Sequence, residues 1–214
     1  MKDYTIAEAD FEGLVDAIPN NVAEKAEMDH LGYTRVTEAI AEKFHMDEDF
    51  LKALNPDSTF ERGTTIKVTD PGAASSGEVA RIEIRKADQR ALAFDAEGRV
   101  ISDYPVAIGS EETPSPQGNV EVTAVAYDPT YSYNPELNFE ADGVKEKLTL
   151  PPGPNGPVGS VWIDLSEPTY GLHGTPEPAK LFVNASHGCV RFSNWDAMEL
   201  ADMVSEGTVV AFVE

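Results

Sequence analysis

The feature that most constrains this chain is a change of hydrophobic period across Asp70-Pro71-Gly72-Ala73-Ala74-Ser75-Ser76-Gly77. A run of small residues and proline has little to bury and reads as a linker. Before it, Ala39, Ile40 and Phe44, then Phe50, Leu51 and Leu54, recur three or four apart, as the buried stripes of two short helices do. Asp47 suits the N-cap of the second, and Asn55-Pro56 its end. Residues 64–68 read as a strand and 22–28 as a further helix. After the linker, Ala80-Arg81-Ile82-Glu83-Ile84 alternates with period two, as a half-buried strand does. Asp95-Ala96-Glu97-Gly98 reads as the turn of a hairpin between 91–94 and 99–101. Residues 104–108, 120–126, 161–165 and 209–213 are further strands, and 194–204 is the one clear helix of this part. The expected class is α+β. A small, mainly helical domain spans 1–72 and a linker 73–78. A β-rich domain over 79–214 is a sandwich of two mixed sheets. The polar linker predicts two independent cores.

Charge and cysteine usage narrow the function. The chain carries 38 acidic against 16 basic residues, a net charge of −22, which repels nucleic-acid phosphates and anionic lipid. Nucleic acid is therefore not an expected partner. No apolar run approaches the about 20 residues that a bilayer requires, so no membrane span is expected. Met1-Lys2-Asp3-Tyr4 lacks the apolar stretch of a signal peptide. One cysteine allows no intramolecular disulfide, so the fold must rest on its core. The Pro/Gly-rich region 128–159 reads as long loops of the kind that wall a site.

The chemistry concentrates in His173-Gly174-Thr175 and Ser186-His187-Gly188-Cys189-Val190-Arg191. A thiol near its free pKa is mostly protonated at neutral pH, so a nucleophilic cysteine needs a base or a positive field. Histidine supplies that base near the operating pH. Gly188 leaves room for a substrate carbonyl to approach backbone amides, as an oxyanion hole requires. A helix starting soon after Cys189, with Asn194 as its cap, would favour thiolate through its dipole. Arg191 suits a substrate carboxylate. His173, His187 and Cys189 are also metal-ligand types, but no fourth ligand is evident, and neither metal nor cofactor is expected.

These two segments resemble the signature of the L,D-transpeptidase (YkuD-type) catalytic domain. Asn155-Gly156-Pro157-Val158-Gly159-Ser160-Val161-Trp162-Ile163, Gly171-Leu172 before His173, Pro114-Ser115-Pro116-Gln117-Gly118 and Gly207-Thr208-Val209-Val210 extend the likeness over residues 79–214. The resemblance implies Cys189 as nucleophile and His173 as base, oriented by the backbone carbonyl of Gly174. It places the Gly188 and Cys189 amides at the oxyanion, with Ser186, His187 and Arg191 shaping the substrate site. It implies a peptidoglycan L,D-transpeptidase that passes a stem-peptide acyl group through a Cys189 thioester to an amine, as in 3-3 crosslinking. Such an enzyme acts in the periplasm or cell wall and is a carbapenem target. Residues 180–185 and the long insertion 127–150 depart from the usual pattern. Residues 31–69 resemble a degenerate LysM module, which implies glycan as a second partner.

Overall fold

The computed structural model describes residues 1–136, 144–183, 186 and 188–214. The chain divides into two compact units, one of residues 1–73 and 130–156, the other of 74–129 and 157–214.

The first unit begins with β1 (Lys2–Thr5), followed by α1 (Val22–Ala26), α2 (Val36–Lys43), α3 (Glu48–Leu54) and β2 (Thr65–Val68). β1 and β2 pair antiparallel, from Lys2 opposite Val68 to Thr5 opposite Thr65. Helix α3 starts where expected, because the Asp47 carboxylate accepts the Phe50 N–H at 2.9 Å. Ile40 from α2 and Phe44 at its C-terminal cap, Leu51 from α3, and Ile66 and Val68 from β2 meet Ile6 in one buried cluster. Beside the three expected helices and the expected strand over 65–68, the unit contains the additional strand β1. Strand β1 escapes the periodicity argument because its side chains are exposed or half-buried and carry no apolar alternation.

The second unit opens with β3 (Arg81–Arg85), β4 (Arg90–Phe94), β5 (Val100–Pro105) and β6 (Gly118–Tyr127). The chain then returns to the first unit for a hairpin of β7 (Tyr131–Tyr133) and β8 (Leu148–Leu150). The stretch 128–159, read as long loops, thus contains a hairpin, and its residues 130–156 pack with the first unit. Tyr133 and Leu150, 1% and 0% exposed, pack with Val22 and Leu31 in a core cluster of the first unit. Residues 137–143 of the expected 127–150 insertion lie outside the described residues.

The second unit is completed by β9 (Val161–Leu165), β10 (Gly171–His173), β11 (Val190–Arg191), α4 (Asn194–Ala201) and β12 (Val209–Val213). Its strands run β11-β10-β9-β6-β12-β3-β4-β5, parallel at β10/β11 and β3/β12 and antiparallel elsewhere. The two expected mixed sheets are therefore one continuous mixed sheet. Strand β6 joins them: Gly118–Glu121 pair with β12, and the stretch from Val122 to Tyr127, with an irregularity between Val122 and Ala124, pairs with β9. The sheet's two ends also meet, because Ala107 beyond β5 bridges Arg191 on β11. Ile82, Ile84, Val161, Ile163, Leu172, Val190 and Phe192 face a shared core, closed by Ala197, Leu200 and Ala201 of α4. The cap of α4 is Ser193, whose hydroxyl accepts the Asp196 N–H at 3.2 Å. Asn194, expected in that role, is the first helical residue and is buried.

Leu31 is the hinge of the shared cluster in the first unit. It is fully buried, its N–H donates to the Pro152 carbonyl at 2.8 Å, and its carbonyl accepts from Asn155 N at 3.0 Å. Leu31→Ala should lower stability by about 2–5 kcal/mol in urea unfolding, whereas Val100→Ala, 52% exposed, should stay within about 0.5 kcal/mol. A chain starting at residue 78 should bind a hydrophobic dye through the uncovered Tyr133 and Leu150. Equal stabilities for the two variants would contradict this packing.

Candidate active site

The site occupies one face of the sheet at β9, β10 and β11. Leu172 pairs with Val190 and His173 with Arg191. Leu172 and Val190 enter the core, so alternation sends Gly171, His173, Cys189 and Arg191 to the opposite face. On β9, Val161, Ile163 and Leu165 are buried, and Trp162 and Asp164 face outward beside them. Trp162 lies directly across from His173, with the two rings stacked at 5.5 Å and 22°. Its indole also covers Gly171, where a Cβ would stand 2.4 Å from Trp162 Cζ2.

His173 is 5% exposed although it stands on this outer face. Its Nδ1 is 2.6 Å from the Gly174 carbonyl oxygen, which can only accept. Nδ1 therefore carries the proton and Nε2 is left as the basic atom. Burial pushes the imidazole pKa down to about 4; the Gly174 carbonyl opposes this, and the Arg191 guanidinium adds to it. The ring is neutral at neutral pH. Gly174 is itself wedged: a Cβ there would come 2.1 Å from Asn194 Oδ1, and one on Gly159 (φ +62°) 2.0 Å from the same atom. That oxygen accepts the Ser160 N–H at 3.2 Å. The first turn of α4 thereby fixes the carbonyl that holds the imidazole.

Cys189 is half-buried, with Sγ 3.7 Å from the Thr169 carbonyl. Among the described residues no hydrogen bond joins Sγ to His173. Burial raises the thiol pKa, and the Gly171 amide and Arg191 offset part of that rise. Burial thus opposes the thiolate that a helix dipole was expected to favour. Gly188 has φ +114°, and a Cβ there would meet Tyr170 Cε1 at 2.6 Å.

Neighbouring hydroxyls organise this turn. The Gly188 N–H donates to Ser186 Oγ at 3.0 Å, and Ser186 Oγ donates to the Cys189 carbonyl. Ser115, 6% exposed, donates to the Gly188 carbonyl at 2.8 Å and accepts the Gly109 N–H at 2.9 Å. Thr113 Oγ1 donates to the Ser186 carbonyl at 3.1 Å. Arg191 is half-buried; burial depresses its guanidinium pKa, and Cys189 and Glu177 counter that. It lines a small recess with Thr175, Glu177, Lys180 and Leu181. The structure thus brings His173, Gly174, Ser186, Gly188, Cys189 and Arg191 to one edge of the sheet, while His187 lies outside the described residues. Thr113 carried no signal in the sequence, whereas Trp162 and Ser115 lay inside motifs already noticed and Asn194 was read as a helix cap, none of them with a role at this site.

The L,D-transpeptidase catalytic domain family, YkuD, matches residues 79–211. YkuD of Bacillus subtilis (strain 168), which bears the L,D-transpeptidase name, is 33% identical over 121 residues, covering 56% of this chain and 58% of that protein. The chain matches less than two thirds of the length of its curated relatives. The fold is similar to that of L,D-transpeptidase 3 from Mycobacterium tuberculosis in complex with a faropenem-derived adduct. The TM-score is 0.51 at 17% identity, over 72% of this chain and 66% of that one. It is also similar to L,D-transpeptidase LdtMt1 in complex with imipenem, with a TM-score of 0.50 at 17% identity over 64% and 60% of the two chains. The domain match and the shared fold lead to one assignment: this chain belongs to the L,D-transpeptidase (YkuD) catalytic-domain family.

Proposed function

We propose that the chain is a peptidoglycan L,D-transpeptidase in which Cys189 carries the acyl group and His173 moves the proton. The observation that supports this most is a buried, neutral imidazole anchored through Nδ1 on the Gly174 carbonyl, on the same sheet face as the only cysteine. Cys189 Sγ attacks the carbonyl carbon of a donor stem peptide as its proton passes to His173 Nε2. The tetrahedral intermediate collapses, the C–N bond breaks, and the departing amine takes that proton. An amine of a second stem peptide then attacks the thioester and gives a proton to His173. The new C–N bond forms, the C–S bond breaks, and the thiol is restored. Transfer to an amine gives the 3-3 crosslink; transfer to water gives a trimmed peptide.

The amides of Gly188 and Cys189 are the proposed oxyanion donors. At rest the Gly188 N–H donates to Ser186 Oγ, so the oxyanion takes over this donor from Ser186 during the reaction. Ser186, His187 and Arg191 shape the substrate site, with Arg191 holding a carboxylate. The substrate places the reaction in the periplasm or cell wall. No helix among the described residues is long and apolar enough to cross a membrane.

Mass spectrometry of wall peptides incubated with the enzyme tests the reading. Crosslinked or exchanged products are expected with the wild type, and none with Cys189→Ala. His173→Ala should lose about 10²–10⁴-fold in rate. A strained β-lactam ring should be opened by the same thiol, giving one carbapenem per chain on Cys189 in both intact-mass and peptide analysis. Turnover by Cys189→Ala within tenfold of wild type would remove the nucleophile from this account.

The resting protonation state gives a pH prediction. A thiol pKa raised by burial leaves little thiolate at pH 7. Alkylation of the free enzyme by iodoacetamide should therefore rise about tenfold per pH unit up to and beyond pH 9. Arg191 lowers the thiol pKa, so Arg191→Ala should shift this curve to higher pH. A plateau already reached at pH 6–7 would mean a preformed thiolate and contradict the neutral pair.

A second reading concerns the first unit, which we propose binds glycan as a LysM-like module. Strands β1 and β2 flank α2 and α3, and a groove of about 560 Å³ runs between Phe11, Val36 and Phe60, with Glu8, Glu61 and Arg62 along it. Apolar rings beside polar groups suit a sugar's two kinds of surface. Phe11, 37% exposed, is the ring to remove. Sedimentation with insoluble peptidoglycan should retain the wild type, and Phe11→Ala should weaken retention. Retention of a chain lacking 1–77 equal to that of the whole protein would leave the groove without this role.

A further inference from the structure

The outer face of the sheet presents an inconsistency that points beyond the nucleophile and base. Trp162 and Asp164 on that face are only half-buried, yet His173 between them and β11 is almost sealed from water. The hydrogen bond at Nδ1 holds the imidazole by one edge and leaves the two ring faces to other contacts.

We propose that Trp162 is a positioning residue for the base, its indole forming a platform that fixes the plane of His173 and closes one face of the ring to water. The proposal rests on the reading of His173 as base. The rings stack at 5.5 Å and 22°, across a direct cross-strand pair of β9 and β10. The platform is itself tied down. Trp162 Nε1–H donates to Asp164 Oδ1 at 3.1 Å, and Asp164 Oδ2 accepts from Thr123 Oγ1 on β6 at 3.0 Å. The indole lies on the bare backbone of Gly171, where a Cβ would stand 2.4 Å from Cζ2 and 2.6 Å from Cη2 of the ring. Gly171 thus permits the stack, and its amide also faces Cys189. Three strands carry one line of contacts, from Thr123 through Asp164 and Trp162 to His173. The groups facing the imidazole are the Gly174 carbonyl, the Arg191 guanidinium and the indole, and the Asp164 carboxylate lies behind the indole.

The account separates Trp162 from ordinary cross-strand packing through its effect on the base. Cys189 acylation by a carbapenem, followed against pH by intact mass, and the His173 titration, followed by NMR of labelled histidine, are the two readouts. Trp162→Phe, which keeps a stacking ring, should acylate within about threefold of wild type. Trp162→Leu should fall about 10–100-fold, the scale expected for a misplaced catalytic group. Its His173 titration should move up from about 4 toward the ordinary histidine value of 6.5 as water reaches the ring. Asp164→Ala, which removes only the tether, should show the same shift at smaller size, and it carries the test if Trp162→Leu does not fold. A folded Trp162→Leu or Asp164→Ala with wild-type acylation and an unmoved His173 titration overturns the proposal. Normal acylation in His173→Ala instead overturns the assignment of the base, a result distinguishable from the first because it leaves the NMR titration of His173 in the Trp162 variants intact.

Discussion

Two backbone hydrogen bonds between Ala107 and Arg191, 2.8 and 2.9 Å long, close the sheet of the second unit on itself. Strand β11 has only two residues, and without them it would be an unsupported edge beside β10. The closure does more than extend a ladder. Along the same stretch, the Ser186 N–H donates to the Ile108 carbonyl at 2.7 Å, and Gly109 and Ser115 reach the Gly188 turn. On the other side, the Phe192 N–H donates to the His173 carbonyl at 2.8 Å. The Gly188–Cys189 turn, His173 and the cap of α4 are therefore all referenced to one seam. A side chain at that seam is placed by backbone on both sides, which is the preorganisation that acyl transfer demands.

Within this frame, burial outweighs charge in deciding the resting state. Arg191 stands near enough to favour thiolate and disfavour imidazolium, yet the thiol pKa remains raised. Desolvation is the largest influence on both groups and favours the neutral pair over the ion pair in the free protein. A neutral cysteine is also a poorer target for adventitious oxidation than a standing thiolate. Proton transfer and attack are then coupled in the proposed reaction, with the imidazole's low basicity favouring return of the proton to the leaving amine.

How much of this was legible in the sequence depends on how local each signal is. Cys189, His173 and Gly188 lie in short segments whose residue types carry the chemistry; the strand over 161–165 follows from plain alternation of buried side chains, and that over 209–213 from a short apolar, valine-rich run. Strand β1 was missed because Lys-Asp-Tyr-Thr is held by pairing to a distant strand rather than by burial. The hairpin of β7 and β8 was hidden by the prolines and glycines around it, and only its partners Val22 and Leu31 make Tyr133 and Leu150 core residues. Ser193 and Asn194 are both good caps by type. What distinguishes them is tertiary: the carboxamide of Asn194 is committed to the Ser160 amide against Gly159 and Gly174. Trp162 reads as a half-buried strand residue until the pairing of β9 and β10 sets it across from His173.

The central claim is that the acyl group in transit sits on Cys189. A labelled stem tetrapeptide donor, mixed with enzyme in the absence of acceptor amine and quenched in acid, puts this directly to intact-protein and peptide mass spectrometry. The account predicts a mass increase equal to the donor minus the free amino acid that departs, located on the peptide containing Cys189, removed by hydroxylamine and discharged by added acceptor amine. Products forming at the normal rate with no such adduct, or an adduct on any other residue, would contradict it.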